Sequence, residues 1–377
     1  MSIRDFEIDK DIRHASTLPG RVYSDPAYFD LQKDRVFARS WQYAGDASRI
    51  KAPGRVAPFT LLDGCLSEPL VLTSDDDGTL RCLSNVCTHR GAIVVEGEGH
   101  ARSLRCRYHG RKFGLDGKFV SMPEFDTTVG FPSETDNLPQ LKLERFGPML
   151  FTGLAPEMSF DDWIAPVRER VAFMPLDEFV RDATTTQDYL INANWALYCD
   201  NYLEEFHIPY VHAGLAEKLD YSSYRTERFR WGNLQLGIAK PGETAFSLPR
   251  DHANAKDRVG AFYFWLFPNT MFNFYPWGLS LNVVSPLEVG RTRVSFISYV
   301  WDASLRDSGA GAGLHRVEME DEEVVESVQR GVRSRLYHRG RYSERREVGT
   351  HHFHELLSDF MKRPLSENGA SRLTPRA

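Results

Sequence analysis

The chain has 377 residues and a formal net charge of −6, from 46 Lys and Arg against 52 Asp and Glu. Hydrophobic residues make up 42% of it, as in ordinary globular proteins, which excludes a disordered tail, a collagen and a coiled coil. There is no basic excess to hold a phosphate backbone, so we expect no binding to nucleic acid. The length predicts two to three domains, or one domain with an insertion.

The N-terminal sequence MSIRDFEIDKDIRHAS is charged and lacks the apolar core of a signal peptide. No uninterrupted apolar run is long enough to span a bilayer. We therefore expect a soluble, cytoplasmic protein that does not bind membranes. The five cysteines are too few for a disulfide scaffold, but two of them stand at metal-ligand spacing.

Residues 1–40 carry apolar side chains at helix-like spacing and are predicted to be helical. Residues 41–155 differ, because short β-branched and aromatic runs alternate there with Asp-Gly turn signals. This pattern predicts a small antiparallel β domain. Cys82 lies in one of its predicted strands at no ligand position, and we expect it to be packed in the core.

Residues 156–377 predict a sheet with long helices against one face, an α+β arrangement. The predicted elements are helices over 161–173 and 194–206, strands over 227–300, and helices over 318–335 and 344–362. A glycine-rich stretch over 309–313 matches no phosphate loop or dinucleotide fingerprint and is predicted to be a flexible connector.

Two segments each supply one thiolate and one imidazole: Cys87-Thr-His89-Arg-Gly-Ala and Cys106-Arg-Tyr-His109-Gly. Two Cys and two His can hold a structural zinc ion or a [2Fe–2S] cluster of the Rieske type, in which two histidines replace two cysteines on one iron. Zinc sites prefer pairs of cysteines with the histidines grouped apart, whereas both segments here are mixed. The mixed spacing therefore favours the cluster.

These segments resemble the Rieske signature of the non-haem iron oxygenases, the ring-hydroxylating oxygenase α-subunit family. The resemblance implies that Cys87, His89, Cys106 and His109 bind a [2Fe–2S] cluster. Many members have Trp after the second His-Gly, where this chain has Arg111. This departure leaves the ligands intact and the nearest subfamily open.

A second candidate metal site lies in Glu204-Glu-Phe-His207-Ile-Pro209-Tyr-Val-His212. On a helix, Glu204 and His207 would share a face, whereas His207 and His212 would point apart. Pro209 disfavours a continuous helix, and a break there can bring both imidazoles to one point. Two histidines and one carboxylate with open positions are the ligand set of ferrous oxygenases.

The wider segment, with Asn194-Trp before Asp200-Asn201 and then Glu-x-x-His-x₄-His, resembles the mononuclear iron motif of the same family. We therefore carry over Asp200, Asn201 and Glu204 as candidate catalytic residues, and His207 and His212 as iron ligands. The resemblance covers essentially the whole chain.

The family fold follows from this resemblance. It implies a Rieske domain over 41–155, inserted into a catalytic domain of the helix-grip, START-like type over 156–377. Residues 1–40 would pack on the catalytic domain.

The third iron ligand is expected far downstream, since the family carries a ligand aspartate near the start of a late helix. Asp321 is the candidate, because it precedes a Val-x-x-x-Gln-x-Gly pattern similar to that of the family. Acidic residues so crowded together are also typical of a solvated helix start. Glu320 and Glu322 are the alternatives.

In relatives, the carboxylate three residues before the first iron histidine also bonds the second Rieske histidine of a neighbouring subunit. The resemblance thus implies a head-to-tail homotrimer in which Glu204 faces His109 of the next chain. Many members have Asp here, and Glu resembles the choline, carnitine and betaine monooxygenase branch. The chain has no nucleotide fingerprint, so electrons from NAD(P)H must arrive through a separate reductase, with or without a ferredoxin.

Nine aromatic residues lie within 262–277, and alternate ones face opposite sides of a strand, so about half of them can line a pocket. They can bind a quaternary ammonium group by cation–π attraction of roughly 0.5–2 kcal/mol, stack on an aromatic ring, or only pack the core. We prefer an oxygenase that uses O₂ to hydroxylate or demethylate a small quaternary ammonium compound. An aromatic-ring dioxygenase or aromatic O/N-demethylase, and a Rieske electron-transfer protein without oxygenase activity, are the alternatives.

Overall fold

The computed structural model describes residues 3–364, which form two compact units. One unit consists of residues 41–154, and the other combines the described residues up to 40 with those from 155 onward. The chain thus leaves the second unit and returns to it. Within 3–364, none of the helices is long and apolar enough to cross a membrane.

The unit over 41–154 consists of three antiparallel sheets, with strand orders β5-β2-β3-β4-β9, β1-β11-β10 and β6-β7-β8. Turn glycines at positive φ, such as Gly64, Gly78 and Gly117, stand at the predicted Asp-Gly turns. Cys82 is fully buried in β4, as expected. The strands are β1 (Gln42–Asp46), β2 (Arg55–Leu61), β3 (Glu68–Ser74), β4 (Leu80–Ser84), β5 (Gly99–His100), β6 (Leu104–Arg105), β7 (Lys112–Phe113), β8 (Phe119–Ser121), β9 (Gln140–Leu141), β10 (Leu143–Phe146) and β11 (Met149–Thr152).

The second unit contains one seven-stranded antiparallel sheet in the order β12-β18-β17-β16-β15-β14-β13. Its central strands β15 and β16 are buried along their whole length. The strands are β12 (Val180–Ile191), β13 (Arg225–Phe229), β14 (Gly232–Ile238), β15 (Val259–Leu266), β16 (Thr270–Tyr275), β17 (Gly278–Glu288) and β18 (Arg291–Val300).

Helices cover both faces of this sheet. Phe353 of α7 packs on Trp265, while Trp163 of α2 packs on Phe272, whose cross-strand partner is Phe264. Because neighbouring strand residues point to opposite faces, α2 and α7 lie on opposite sides, and the expectation of helices on one face only is wrong. The helices are α1 (Pro26–Arg35), α2 (Phe160–Arg170), α3 (Trp195–Tyr202), α4 (Ile208–Val211), α5 (Ala213–Lys218), α6 (Leu314–Gly331) and α7 (Val348–Lys362).

Two further expectations differ from the structure. The helix predicted over 194–206 ends at Tyr202, so Glu204 and Glu205 lie beyond it and are not helical. The glycine-rich stretch is no flexible connector, because Gly309–Gly311 forms a buried 3₁₀ turn. A Cβ on Gly311 would come within 2.3 Å of Trp277 Nε1, so only glycine fits against this ring.

Candidate metal centres

The two Cys/His segments lie in the unit over 41–154, the β-rich unit, and fold into loops with the same hydrogen bonds. In the first, Cys87 N–H donates to Ala92 O at 2.8 Å and Gly91 N–H donates to Cys87 O at 2.9 Å. In the second, Cys106 N–H donates to Arg111 O at 2.9 Å and Gly110 N–H to Cys106 O at 3.1 Å. The turn glycines have φ of 72° and 76°, a conformation that side chains rarely adopt.

The four candidate ligands meet as two pairs. The Nδ1 atoms of His89 and His109 lie 3.1 Å apart, and the buried thiols of Cys87 and Cys106 interact with each other. Burial raises the pKa of the Cys87 thiol, and the neighbouring Cys106 raises it further, while the guanidinium of Arg111 opposes this. Metal coordination would relieve that unfavourable pairing, because cysteine binds metals as the thiolate.

This pairing decides between the two chemistries that the sequence left open. A single tetrahedral zinc ion has bonds of about 2.0–2.3 Å, so its four donor atoms lie within a few ångströms of one another. Among residues 3–364, such a group of three or more close donors occurs at one place, which does not include these residues. Separate sulfur and nitrogen pairs instead fit the two irons of a Rieske cluster.

The close group of donors found within residues 3–364 consists of His207, His212 and Asp321, whose ligand atoms all lie within 4.8 Å of one another. After α3 ends, the chain turns and restarts as α4, with Pro209 in its first turn, and His212 stands between α4 and α5. Proline is tolerated at a helix start and blocks the helix that would otherwise run through it. This break brings the two imidazole rings to 5.0 Å between centroids.

Carboxylates fix the orientation of both rings. His207 Nδ1 lies 2.7 Å from Glu204 Oε1, and His212 Nδ1 lies 2.8 Å from Glu320 Oε2. A carboxylate can only accept here, so each Nδ1 carries its proton and each Nε2 is left free for a metal. The two Nε2 atoms lie 3.5 Å and 3.0 Å from Asp321 Oδ1, respectively.

The structure separates Asp321 from its two neighbours in sequence. Glu320 holds the far side of His212, and Glu322 is not part of the close group. The hydrogen bond from His212 lowers the pKa of Glu320. Burial opposes protonation of His212, but Asp321 and Glu320 outweigh it and raise its pKa, so the site attracts positive charge.

The remaining predicted residues take different positions. Asn201 donates its amide N–H to Asp321 Oδ1 at 2.6 Å, and thus holds the carboxylate in place. Asp200 instead accepts a hydrogen bond from Tyr23 at 2.9 Å and lies 2.8 Å from Nε2 of the buried His354. Asn201 lines the cavity beside the close group, and Asp200 is not among its lining residues.

A cavity of about 100 Å³ opens beside His207, His212 and Asp321. Glu318, which the sequence analysis did not single out, lines this cavity and is 1% exposed. Its Oε2 accepts from Tyr198 at 2.7 Å, and its Oε1 has no hydrogen-bond partner. Burial raises the pKa of Glu318 well above its usual value, and Asp321 adds to this. The aromatic wall of the cavity comprises Tyr198, Tyr202, Tyr224, Tyr263, Tyr275 and Phe296.

Only two of the nine aromatic residues within 262–277, Tyr263 and Tyr275, line this cavity. All nine are buried, and most pack between the sheet and its helices. The core-packing interpretation of this stretch therefore accounts for most of it.

The comparisons with known proteins agree with this geometry. Residues 40–139 match the Rieske [2Fe-2S] domain, and residues 176–363 match the catalytic domain of the ring-hydroxylating alpha subunit. The chain is 32% identical to the chloroplastic choline monooxygenase of Arabidopsis thaliana, over 96% of this chain and 86% of that protein. It is 30% identical to the carnitine monooxygenase oxygenase subunit of Escherichia coli strain K12, over 93% and 95%, respectively.

The fold is also similar to the solved structure of a quaternary ammonium Rieske monooxygenase. The TM-score is 0.78 at 24% identity, over 96% of this chain and 99% of that one. The chain therefore belongs to the Rieske non-haem iron oxygenase family. It is the terminal oxygenase of such a system, with a Rieske cluster and a mononuclear iron as cofactors and a reductase as electron source. The alternative of an electron-transfer protein without oxygenase activity is thereby set aside.

We expect the Glu320→Gln variant to bind ferrous iron about tenfold to a hundredfold more weakly than the parent protein, because the carboxylate that orients His212 is lost. Iron content after dialysis against graded chelator measures this. Glu323→Gln is the matched control, since Glu323 is an exposed acid on the same helix. Equal iron retention in the two variants would exclude an orienting role for Glu320.

Proposed function

We propose that this oxygenase hydroxylates or oxidatively demethylates a small quaternary ammonium compound of the choline, carnitine or betaine type. The observation that carries the proposal is the buried, half-satisfied carboxyl group of Glu318 in a cavity with a tyrosine-rich wall. A buried carboxylate needs a counter-charge, and a cationic substrate supplies one.

The rest of the cavity suits the same ligand. A trimethylammonium group has no N–H to donate, so it is bound by aromatic faces and by unscreened negative charge. The hydroxyl groups of Tyr202 and Tyr224 donate hydrogen bonds to Asn273 and Gln235, respectively, which leaves their rings as the surface of the wall. The relatives at 30% and 32% identity, named for choline and carnitine, support this substrate class.

We assign the mononuclear iron to His207 Nε2, His212 Nε2 and Asp321, and the Rieske cluster to Cys87, Cys106 and the Nδ1 atoms of the two Rieske histidines. Bound at the first site, Fe(II) supplies the activation of O₂ that the reaction needs. The chain supplies the geometry: Glu204 and Glu320 fix the two imidazoles, and Asn201 fixes Asp321.

The cavity offers the substrate a place beside the iron ligands. Its other lining groups are the carboxyl groups of Glu204 and Glu318, amides, tyrosines, one phenylalanine and aliphatic side chains. We propose Asp200 as a positioning residue, because its hydrogen bond from Tyr23 and its close contact with His354 hold the end of α3 rather than the substrate. A ferredoxin as intermediate carrier and a cytoplasmic location stay predictions.

We further propose that the enzyme works as a head-to-tail homotrimer, with Glu204 of one chain facing His109 of the next. Exposed aromatic residues flank both groups: Tyr108, which is 62% exposed, stacks on His109, and Phe206 and Tyr210 follow Glu204. Such exposed rings favour a contact between copies. The structurally similar quaternary ammonium monooxygenase is described as using inter-subunit electron transfer.

The reaction is tested by a single turnover, which needs no reductase. Protein loaded with iron and cluster is reduced chemically, exposed to O₂ with one compound at a time, and the products are identified by mass spectrometry. We expect oxidised products from choline, glycine betaine or carnitine and none from benzoates or phenols. Products from the aromatic compounds alone would support ring hydroxylation or demethylation instead.

The role of Glu318 is tested by the Glu318→Gln variant, which keeps the shape of the side chain and removes its charge. Without this charge the bound cation loses its counter-ion, so we expect choline-type ligands to bind about tenfold to a hundredfold more weakly, which corresponds to roughly 1.4–2.8 kcal/mol. Calorimetric titration with choline and with its uncharged isostere 3,3-dimethylbutan-1-ol measures this.

The control for that titration is Glu322→Gln, since Glu322 lies on the same helix outside the cavity. The isostere should bind both variants as it binds the parent. If Glu318→Gln weakened the binding of choline and of the uncharged isostere equally, the substitution would have changed the shape of the cavity rather than its charge. That result would contradict the assignment.

The trimer proposal predicts complementation between two inactive chains. Cys106→Ser removes a cluster ligand and Asp321→Ala removes an iron ligand, so neither chain should be active alone. Co-expressed in one trimer, they place an intact cluster beside an intact iron site of the neighbour, and activity should return. The matched control combines Cys106→Ser with Cys87→Ser. Both chains then lack a cluster ligand, so the mixed trimer contains no intact cluster and should stay inactive. Absence of activity in mixed trimers of proven composition would rule out transfer between subunits.

A further inference from the structure

Arg111 ends the second cluster loop, and its side chain is turned into the core of the β-rich unit. Its backbone oxygen accepts from Cys106 N–H, and the residue is 2% exposed. The guanidinium donates from Nη2 to Asp136 Oδ1 at 2.7 Å and to Asp136 O at 2.9 Å, while its Nε has no partner. Rings of Phe113, Phe119 and Phe131 lie 5.1–5.7 Å from the guanidinium carbon.

Asp136 joins this arginine to the first cluster loop. Thr88, which lies between Cys87 and His89, donates its hydroxyl to Asp136 O at 2.8 Å. Hydrogen bonds from Arg111 and Ser133 outweigh the effect of desolvation and lower the pKa of Asp136, so the pair is ionic. One residue outside both loops thus holds a side chain from each of them.

We propose that the buried Arg111–Asp136 pair positions the two cluster loops and that the charge of Arg111 favours the reduced cluster. The reduced cluster carries one negative charge more than the oxidised one, so a nearby cation stabilises it and an anion opposes it. The guanidinium is the deeper of the two charges, since the side chain of Asp136 is 19% exposed against 2% for Arg111. Buried charges are poorly screened, so the cation has the larger effect.

This inference concerns the cluster alone and holds whatever the substrate is. Cluster potentials in proteins are set by net charge, hydrogen bonding and solvent exposure, and a buried arginine changes the first of these. A purely structural arginine would change cluster content and stability without a signed effect on the potential. The sign of the shift is therefore the deciding observation.

The test is a redox titration of the cluster in the full-length protein, followed by electron paramagnetic resonance, in three variants. We expect Arg111→Gln to lower the equilibrium constant for one-electron reduction about tenfold, which is about 59 mV. Asp136→Asn should shift it in the opposite direction, because it removes the opposing anion. Arg107→Gln, an exposed arginine between Cys106 and His109, is the control and should change the constant less than threefold.

Shifts of the same sign in Arg111→Gln and Asp136→Asn, or a shift in Arg107→Gln as large as that in Arg111→Gln, would overturn the proposal. If Arg111→Gln does not retain the cluster, Asp136→Asn decides alone, and the absence of an upward shift overturns it. Neither result depends on substrate oxidation, so the proposed substrate class can fail while this inference stands.

Discussion

The hydrogen bonds that join α6 to the segment from α3 to His212 hold the candidate iron site together. Asn201 bonds Asp321, His212 bonds Glu320, and Tyr198 bonds Glu318, each across more than 100 residues of sequence. A further bond, from Asn194 N–H to Gln329 Oε1, anchors the start of α3 to the far end of α6. Donors from two distant segments must meet within bonding distance of one ion. The packing of α6 on the segment from α3 to His212 is therefore required for iron binding, and with it for the reaction.

The cluster site solves the same problem in a different way. Its two loops are short hairpin turns with matching hydrogen bonds, so each loop fixes its own cysteine and histidine locally. The position of one loop relative to the other must be fixed by residues outside them. Asp136 contributes to this by accepting hydrogen bonds from Thr88 and Arg111. The two cluster loops are thus joined by the hydrogen bonds of Asp136 and by packing in one shared hydrophobic cluster, whereas the iron site depends on the packing of whole helices.

This difference explains what the sequence could predict. Residue type and short spacing define Cys87, His89, Cys106 and His109, because ligand chemistry and turn geometry are both local. Glu318 could not be found in this way, since its importance arises only when α6 packs on Tyr198. Its position one helical turn before Asp321 was the available signal, because residues three apart share a helix face.

The strands show the same limit. The edge strand β12 was not predicted, because its sequence is largely polar and most of its residues are exposed, so it lacks the alternation of a half-buried strand. The aromatic stretch was identified correctly as strand, yet most of its rings pack the core. Which side of a strand lines a cavity is fixed by the helices that cover the sheet, and the sequence of the strand does not contain that information.

Charge balance connects the iron site with its substrate. With Fe(II) bound, two positive charges face Asp321, Glu204, Glu320 and Glu318, and only Glu320 has an arginine, Arg316, as a further partner. An uncharged substrate would leave Glu318 either protonated or buried without a counter-ion, and in neither state would its charge contribute to binding. A cation that enters the cavity favours the ionised form of Glu318 and is held by it in turn. Glu318, whose pKa is raised by burial, thus gains a counter-ion from a cationic ligand. In the function that we propose, this gain is the physical basis for selecting quaternary ammonium compounds over neutral ones of the same shape.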